Sequence, residues 1–499
     1  MRGSGGAAAR KILKCLENHA ILQDKEAVTV LNKKFKIFRE KYPVFFYDGF
    51  KLSQKKGFIQ IVFDFAIDGL CEFHPKIEIK TDNLTILNRF DSARARAVIF
   101  SLGLTEAVSY WKCACPPRFV VRCGALSGED KLWWKKLWFN GLSEFFYRNR
   151  IEADFENFVV IENDAEYGGS ASLSDMPGSG ENFHPGGLNI IPVGGGKDSC
   201  VTLELLRERC ENNLCFTVND QPARTQTAAV AGCGDDHIIK TYREIDKQLL
   251  QRNAEGFLNG HTPFSAIVAF LSYYCAYITG AENIILSNES SANEANIEGT
   301  EINHQYSKSY GFESDFNEYA SRNFGENIRY FSLLRAFNEL QIAKEFAALK
   351  QYHSVFRSCN AGSKKNIWCC SCAKCLFVYI ILSPFLDKQE LVRIFGCDML
   401  EKEELREAFE GLIGLSNQKP FECIGTVSEV CCALEMTAKK YEEQSVSLPL
   451  LLDYYLSIPL AGCGRNPVEI LGEINPCNNV PEEFRKYITE MYEYVSKAD

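Results

Sequence analysis

The spacing of hydrophobic positions changes along the chain, and each change predicts different elements. Between residues 58 and 80 (FIQIVFDFAIDGLCEFHPKIEIK) apolar residues alternate with polar ones, broken at Asp68-Gly69 and at Pro75. Period two buries one face of an extended segment, so antiparallel strands are predicted there. Residues 92–101 and 105–111 carry a helical period. Residues 130–148 set Trp133, Trp134, Leu137, Trp138 and Phe145 on one helical face. That stripe reads as core or domain interface rather than as a ligand cage. From 188 the rhythm becomes strand, turn, helix. Apolar runs at 188–193, 214–218, 228–231 and 284–287 are predicted strands, and 199–209 and 264–280 are predicted helices. Such alternation implies a parallel sheet covered on both faces. Beyond 386 the pattern is mainly helical, as at 401–409 and 482–495.

The expected organisation is an N-terminal α+β domain (1–165), a flexible Gly/Ser/Pro-rich linker (166–187), an α/β domain (188–385) and a helical C-terminal region (386–499). His184 in the linker is expected to be solvated. With 499 residues, 46% hydrophobic and 24% charged, the chain is globular, which excludes dominant disorder and fibrous repeats. A net charge of −10 argues against a general nucleic-acid coat. The 21 cysteines are an odd number, so a fully paired monomer is impossible. The small, basic opening at 1–10 has no apolar segment after it, as a secretory signal would. Most cysteines are therefore expected to be reduced and buried in the cytoplasm. The run 264–280 carries no charge but contains Ser, Tyr and Thr. It reads as a buried helix, with no membrane insertion.

The most informative motif is Ile191-Pro-Val-Gly-Gly-Gly-Lys-Asp-Ser199. A buried strand ends in Gly194, Gly195 and Gly196, and a helix begins at once. Glycines let backbone N–H groups approach an anion, and a helix N-terminus adds unsatisfied donors. Lys197 can supply a point charge, Asp198 a Mg²⁺-linked carboxylate, and Ser199 a hydroxyl and a cap. The string fits neither G-x-x-x-x-G-K-[ST] nor G-x-G-x-x-G. It does resemble the pyrophosphate loop, [SG]-G-G-x-D-[ST], of N-type ATP pyrophosphatases (the PP-loop superfamily).

Cys369, Cys372 and Cys375 form C-x2-C-x2-C, with Cys359 upstream and Cys370 as the expected spectator. Four thiolates suit a closed, structural Zn²⁺ site. An iron–sulfur cluster, a redox dithiol or unmetallated thiols are the alternatives. 7-Cyano-7-deazaguanine synthases are similar in pairing a pyrophosphate loop with a late zinc-binding Cys quartet. Between loop and quartet lie polar stretches at 259–265, 287–294 and 303–309. They follow apolar runs, so they are placed to line the crevice beyond the strand ends. Glu289, Glu294, His304 and Lys308 are candidates there for Mg²⁺ binding and acid–base work.

Taken together, the strings PVGGGKDS, NGHTPFSA, LSNESSANE, NHQYSKS, FRSCN…WC..C.KC and KPFEC.G resemble the UDP-N-acetylmuramoyl-L-alanyl-L-glutamate epimerase family, most closely over 188–430. The resemblance implies a PP-loop ATP pyrophosphatase-like α/β fold and a nucleotide-sugar dipeptide as substrate. It also implies ATP- and Mg²⁺-dependent conversion of the terminal L-Glu to D-Glu, with AMP and pyrophosphate released, in peptidoglycan precursor synthesis. Adenylation makes chemical sense, because removing the Cα proton beside a free carboxylate would build a second negative charge next to the first. Cofactor-free glutamate racemases use two Cys instead, but that route needs no ATP and leaves the glycine loop unexplained. Two other readings stand beside this one. One is an adenylating amide or nitrile synthase, or a thiolating enzyme, on the same loop. The other is a non-enzymatic, zinc-stabilised nucleotide-binding module.

Overall fold

A computed structural model describes residues 33–82, 84–164, 187–294, 296, 302–325, 328–416, 419–459 and 465–497. The opening at 1–10 and the linker with His184, Gly187 excepted, lie outside the described residues. The N-terminal zone folds as β1 (Val44–Lys55), β2 (Phe58–Ile67), β3 (Cys71–Phe73), β4 (Lys76–Lys80), α1 (Ala93–Trp111), β5 (Arg118–Val121), α2 (Gly128–Gly141), α3 (Ser143–Arg148) and β6 (Val160–Asn163). Residues 58–80 form antiparallel strands, as their alternation predicts, and β2 buries Ile59, Ile61, Phe63, Phe65 and Ile67. The two helical patterns at 92–111 are one helix. The stripe at 130–148 is two helices broken at Leu142.

The stripe is core. Trp134 and Trp138 are fully buried. Trp134 stacks on Phe270 and donates its indole N–H to the Tyr319 hydroxyl at 3.2 Å. Trp138 donates to the Leu104 carbonyl at 3.2 Å. A buried indole needs such a partner, and truncating one costs about 3–5 kcal/mol.

The central zone contributes β7 (Leu188–Pro192), α4 (Lys197–Leu205), β8 (Asn213–Val218), α5 (Pro222–Val230), β9 (Ile238–Glu244), α6 (Lys247–Ala254), α7 (Phe264–Thr279), β10 (Ala281–Leu286), α8 (Tyr310–Phe324), β11 (Arg329–Ser332) and α9 (Glu339–Ala348). One expectation is corrected here. Residues 228–231 are not a strand: they end α5, whose Pro222 occupies the first turn. Alanine favours helix, and Pro at the helix start has a suitable φ without losing a hydrogen bond. The strand of that region is β9. The uncharged run 264–280 is α7, buried along most of its length and closed by Gly280 at φ 82°. Among the described residues no helix is long and apolar enough to cross a membrane.

Among the described residues all eleven strands join one mixed sheet, ordered β11-β10-β7-β8-β9-β4-β2-β1-β5-β6, with β3 on β2. From β11 to β9 every pair is parallel. β4 joins β9 antiparallel, so the N-terminal strands continue the same sheet. Alternate residues of the parallel half enter opposite cores. Ile190, Phe216, Ile284 and Tyr330 pack with α1, α7 and α8, whereas Ile191, Cys215, Ile285 and Phe331 pack with α4 and α9. Both faces are covered, which explains why β7, β8 and β10 are apolar at most positions. A ladder of buried amides crosses three strands. Asn283 donates to Asn189 at 2.9 Å, and Asn189 to Asn213 at 2.9 Å.

The C-terminal part is helical, with α10 (Ala373–Leu382), α11 (Lys388–Phe395), α12 (Arg406–Leu412), α13 (Val427–Glu443), α14 (Leu450–Ser457), α15 (Pro467–Leu471) and α16 (Arg485–Val495). It shares one core with α4 and α9.

Candidate active site

Within the parallel half the chain fills the sheet from β7 outward, first through β8 and β9, then through β10 and β11 on the other side. The connections after β7 and β10 therefore diverge. A crevice opens beyond their carboxyl ends, the usual ligand position in open α/β sheets. A cleft of about 570 Å³ lies there, lined by Gly194, Gly196, Asp198, Asn288, Lys308 and Cys423 among others.

Its floor is the triple-glycine loop. Gly195 has φ 82°, and a Cβ there would sit 3.1 Å from Ala223. Only glycine fits without strain. The Gly194 N–H donates to Ser199 Oγ at 3.2 Å, and the Arg357 N–H to the Gly195 carbonyl at 2.7 Å, which pins the turn. Helix α4 starts at Lys197 directly behind it. The Lys197 ammonium is buried and pairs with Asp198 and Glu339. Its charge is thus directed at carboxylates in this structure.

Asp198, Glu289 and Glu339 bring carboxylate oxygens within 4.8 Å of one another, with Asp198 the most exposed. Burial alone would raise the Asp198 carboxyl. The Lys197 and Lys374 ammonium groups outweigh it and hold the carboxyl below its ordinary range. Burial, with Asp198 and Glu289 nearby, pushes the Glu339 carboxyl up to about 8 against the pull of Lys197. Three oxygens facing one point suit a hard divalent cation. Glu339 is not among the residues that the sequence singles out. It opens α9 behind an Asn338–Gln341 capping box, beyond the carboxyl end of β11. The Glu339 N–H donates to Glu429 at 2.6 Å, and Glu429 also accepts from Ser291 Oγ at 2.8 Å. The N-terminus of α13 therefore helps to place this cluster. Glu294 stands apart from it and pairs with Lys419.

The opposite wall carries bases and a thiol. His304 Nδ1 lies 2.5 Å from Glu144 Oε2, and the His261 ring packs 4.3 Å from the His304 ring. Burial disfavours a charged His304, but hydrogen bonds with Cys423 and Glu144 raise it to about 9. Burial and the like charge of His304 push His261 down to about 3. Lys308 Nζ lies 3.1 Å from Cys423 Sγ, and the Lys374 ammonium donates to the Cys423 carbonyl. Burial opposes a thiolate at Cys423. Lys308, His304 and Lys374 overcome it and bring the thiol down to about 6. Neither His304 nor Lys308 offers oxygen to a hard cation, so both fit acid–base work better than Mg²⁺ binding. Glu144 and Cys423 have no sequence signal of their own, although Cys423 lies in the string KPFEC.G.

The sulfurs of Cys359, Cys369, Cys372 and Cys375 all lie within 4.8 Å of one another. Cys369 and Cys372 are 3.7 and 3.5 Å from Cys375. A tetrahedron of sulfurs about 2.3 Å from zinc has edges of about 3.8 Å, so the quartet fits that ion. Backbone N–H groups of Gly362 and Cys375 donate to Cys359 and Cys372 at 3.1 and 3.4 Å, as thiolates require. Cys370 turns away, 3.2 Å from the Phe395 carbonyl.

Residues 37–333 match the family described as MurL N-terminal domain, and 354–452 the one described as MurL C-terminal domain. Three proteins named UDP-N-acetyl-alpha-D-muramoyl-L-alanyl-L-glutamate epimerase are similar to the chain. That of Xanthomonas oryzae pv. oryzae (strain MAFF 311018) is 31% identical, over 68% of this chain and 74% of the relative. That of a Micromonospora species is 33% identical, over 69% and 75%. That of Salinispora tropica is 34% identical, over 69% and 73%. The matched region includes the N-terminal strands and helices as well as the cleft, and on these grounds the chain belongs to the MurL epimerase family.

Proposed function

We infer that the chain is an epimerase, an isomerase that inverts the terminal L-Glu of UDP-N-acetylmuramoyl-L-alanyl-L-glutamate to D-Glu, in peptidoglycan precursor synthesis. It works by adenylation: the substrate carboxylate displaces pyrophosphate from ATP to give an acyl-adenylate, and hydrolysis of that adenylate releases AMP. The observation that carries this reading is one cleft lined by an anion-ready glycine loop, by Asp198 with the buried Glu289 and Glu339 carboxylates close to it, and by a set of acid–base groups.

Gly194–Ser199 hold the β- and γ-phosphates by backbone donors and the start of α4. Asp198, with Glu289 and Glu339, would hold Mg²⁺, which neutralises phosphate charge as the α–β bond breaks. Activation removes the carboxylate charge and turns its carbonyl into an electron sink, so the Cα proton becomes removable. Hydrolysis of the adenylate then makes the inversion one-way. The Cys quartet would hold a structural Zn²⁺. A soluble nucleotide precursor and reduced cysteines suit the cytoplasm.

The test is chiral analysis of glutamate after incubation with this dipeptide and Mg²⁺, with and without ATP. D-Glu should appear only with ATP. The Asp198→Ala variant should lose AMP release by about 100-fold or more, as expected for loss of a charged group that acts on the transition state. D-Glu formed equally without ATP would overturn adenylation, and near-normal AMP release by the variant would overturn the role of Asp198.

A further inference from the structure

Cys423 differs in its surroundings from a buried core thiol such as Cys113. Cys113 has an apolar setting, and burial pushes it up to about 12. Cys423 lines the cleft that holds the glycine loop and Asp198, and it is only partly buried. Two side chains converge on its sulfur: Lys308 at 3.1 Å, and His304, which hydrogen-bonds to it and is itself held by Glu144 at 2.5 Å. A third, Lys374, binds its carbonyl. Neighbouring Glu422 is a charged group of opposite sign, and its carboxyl is raised by burial first, then by Cys372 and, after the opposing pull of Lys374, by Cys423. Lys308 also acts on Asp198 and Glu289, so a single ammonium couples the sulfur to the carboxylate cluster. A thiolate is the basic form of cysteine, and cations at this distance keep it charged.

We propose that Cys423 is the base that takes the Cα proton of the activated glutamyl residue, with Lys308 and the His304–Glu144 pair as the groups that hold it ready. The proposal rests on the epimerase reading and deepens it. The Cα–H bond breaks as an S–H bond forms, and the C–H electron pair moves to the activated carbonyl as an enolate. A proton derived from water then adds to the opposite face of Cα, and the Cys423 proton returns to solvent. No oxidant or reductant takes part. Among the described residues the other cleft-lining thiol, Cys359, belongs to the quartet, so no second thiol there is placed to serve as the acid.

The experiment compares the full-length protein with its Cys423→Ala and Cys423→Ser variants in ²H₂O. Each receives UDP-N-acetylmuramoyl-L-alanyl-L-glutamate, ATP and Mg²⁺, and AMP, D-Glu and deuterium at Cα are read separately. Wild type should give D-Glu carrying one deuteron at Cα. Both variants should still release AMP, within about tenfold of wild type, while D-Glu and Cα deuterium fall about 100-fold or more. Continued AMP release also shows that the variants fold and bind. Three results would overturn the proposal: D-Glu at the wild-type rate from either variant, AMP and D-Glu lost together, or a covalent acyl-enzyme at Cys423 in wild type. The last would make the sulfur a nucleophile. Failure of wild type itself to form D-Glu would instead overturn the epimerase reading beneath it.

Discussion

At the scale of single residues, the cleft pairs opposite charges in a sparse medium, so each partner alters its neighbours' protonation. His304 is the clearest case, because its ordinary value of 6.5 is raised to about 9 in the folded chain. The folded state thus binds the proton more tightly than the unfolded one. The resulting stability is fully present below pH 6.5 and is lost as pH rises through 9. In Glu144→Gln the anion beside the ring is gone, so part of that stability should vanish. Thermal melts should show wild type ahead of the variant by roughly 1–3 kcal/mol below pH 6.5, with the gap narrowing toward pH 9.5. A gap that widens with pH would contradict the pairing. Asp198, Glu289, His304 and Lys308 are visible in the sequence because each sits in a dense polar stretch behind an apolar run. Glu339 and Cys423 are not, since their partners Lys197 and Lys308 lie 142 and 115 positions away. No local pattern reports a contact of that range.

At the scale of elements, the start of α10 joins the Cys quartet to the cleft. Cys372 caps the helix by accepting the Cys375 N–H, and Lys374 between them reaches the carbonyl of Cys423. A metal holding these thiols would therefore fix a charge in the candidate active site as well as stabilise the fold. Wild type purified without chelator should contain one zinc per chain by elemental analysis. Cys372→Ser should lose it, with a melting temperature lower by roughly 5 °C or more and reduced epimerisation. A metal-free wild type with unchanged melting in the variant would remove the zinc assignment. Helix α7 and the strands at 188–193 and 284–287 are legible because their residues are apolar nearly throughout. Strands β9 and β11 are not, since Ile-Ile-Lys-Thr-Tyr-Arg-Glu and Arg-Tyr-Phe-Ser mix charge with apolar side chains. The Ala-rich end of α5 misleads in the other direction.

At the scale of the molecule, the sheet runs from the N-terminal strands into the parallel half through the β4–β9 pair. The two strands lie far apart in sequence, so hydrophobic period alone cannot reveal the join. α1, α7 and α8 share a core with the N-terminal strands. A fragment of residues 188–499 would expose that core and the edge of β9. Expressed alone it should be insoluble or lack a cooperative melt, and a soluble fragment with one sharp transition would show that the parallel half folds without the N-terminal strands. The asparagine ladder of Asn213, Asn189 and Asn283 has a bearing on this assembly. Three amides that must meet in a row act like the teeth of a key. A slip of one residue between β7 and either neighbour would leave an amide stranded in an apolar layer and turn every side chain to the wrong face. It would also shift the far ends of the strands by about 3.3 Å, more than a glycine loop and a carboxylate facing it could tolerate. Valines could fill the same space, but they would mesh equally well in several alignments. The ladder thus gives up some apolar packing at one end of the sheet so that the chemistry at the other end has a single alignment.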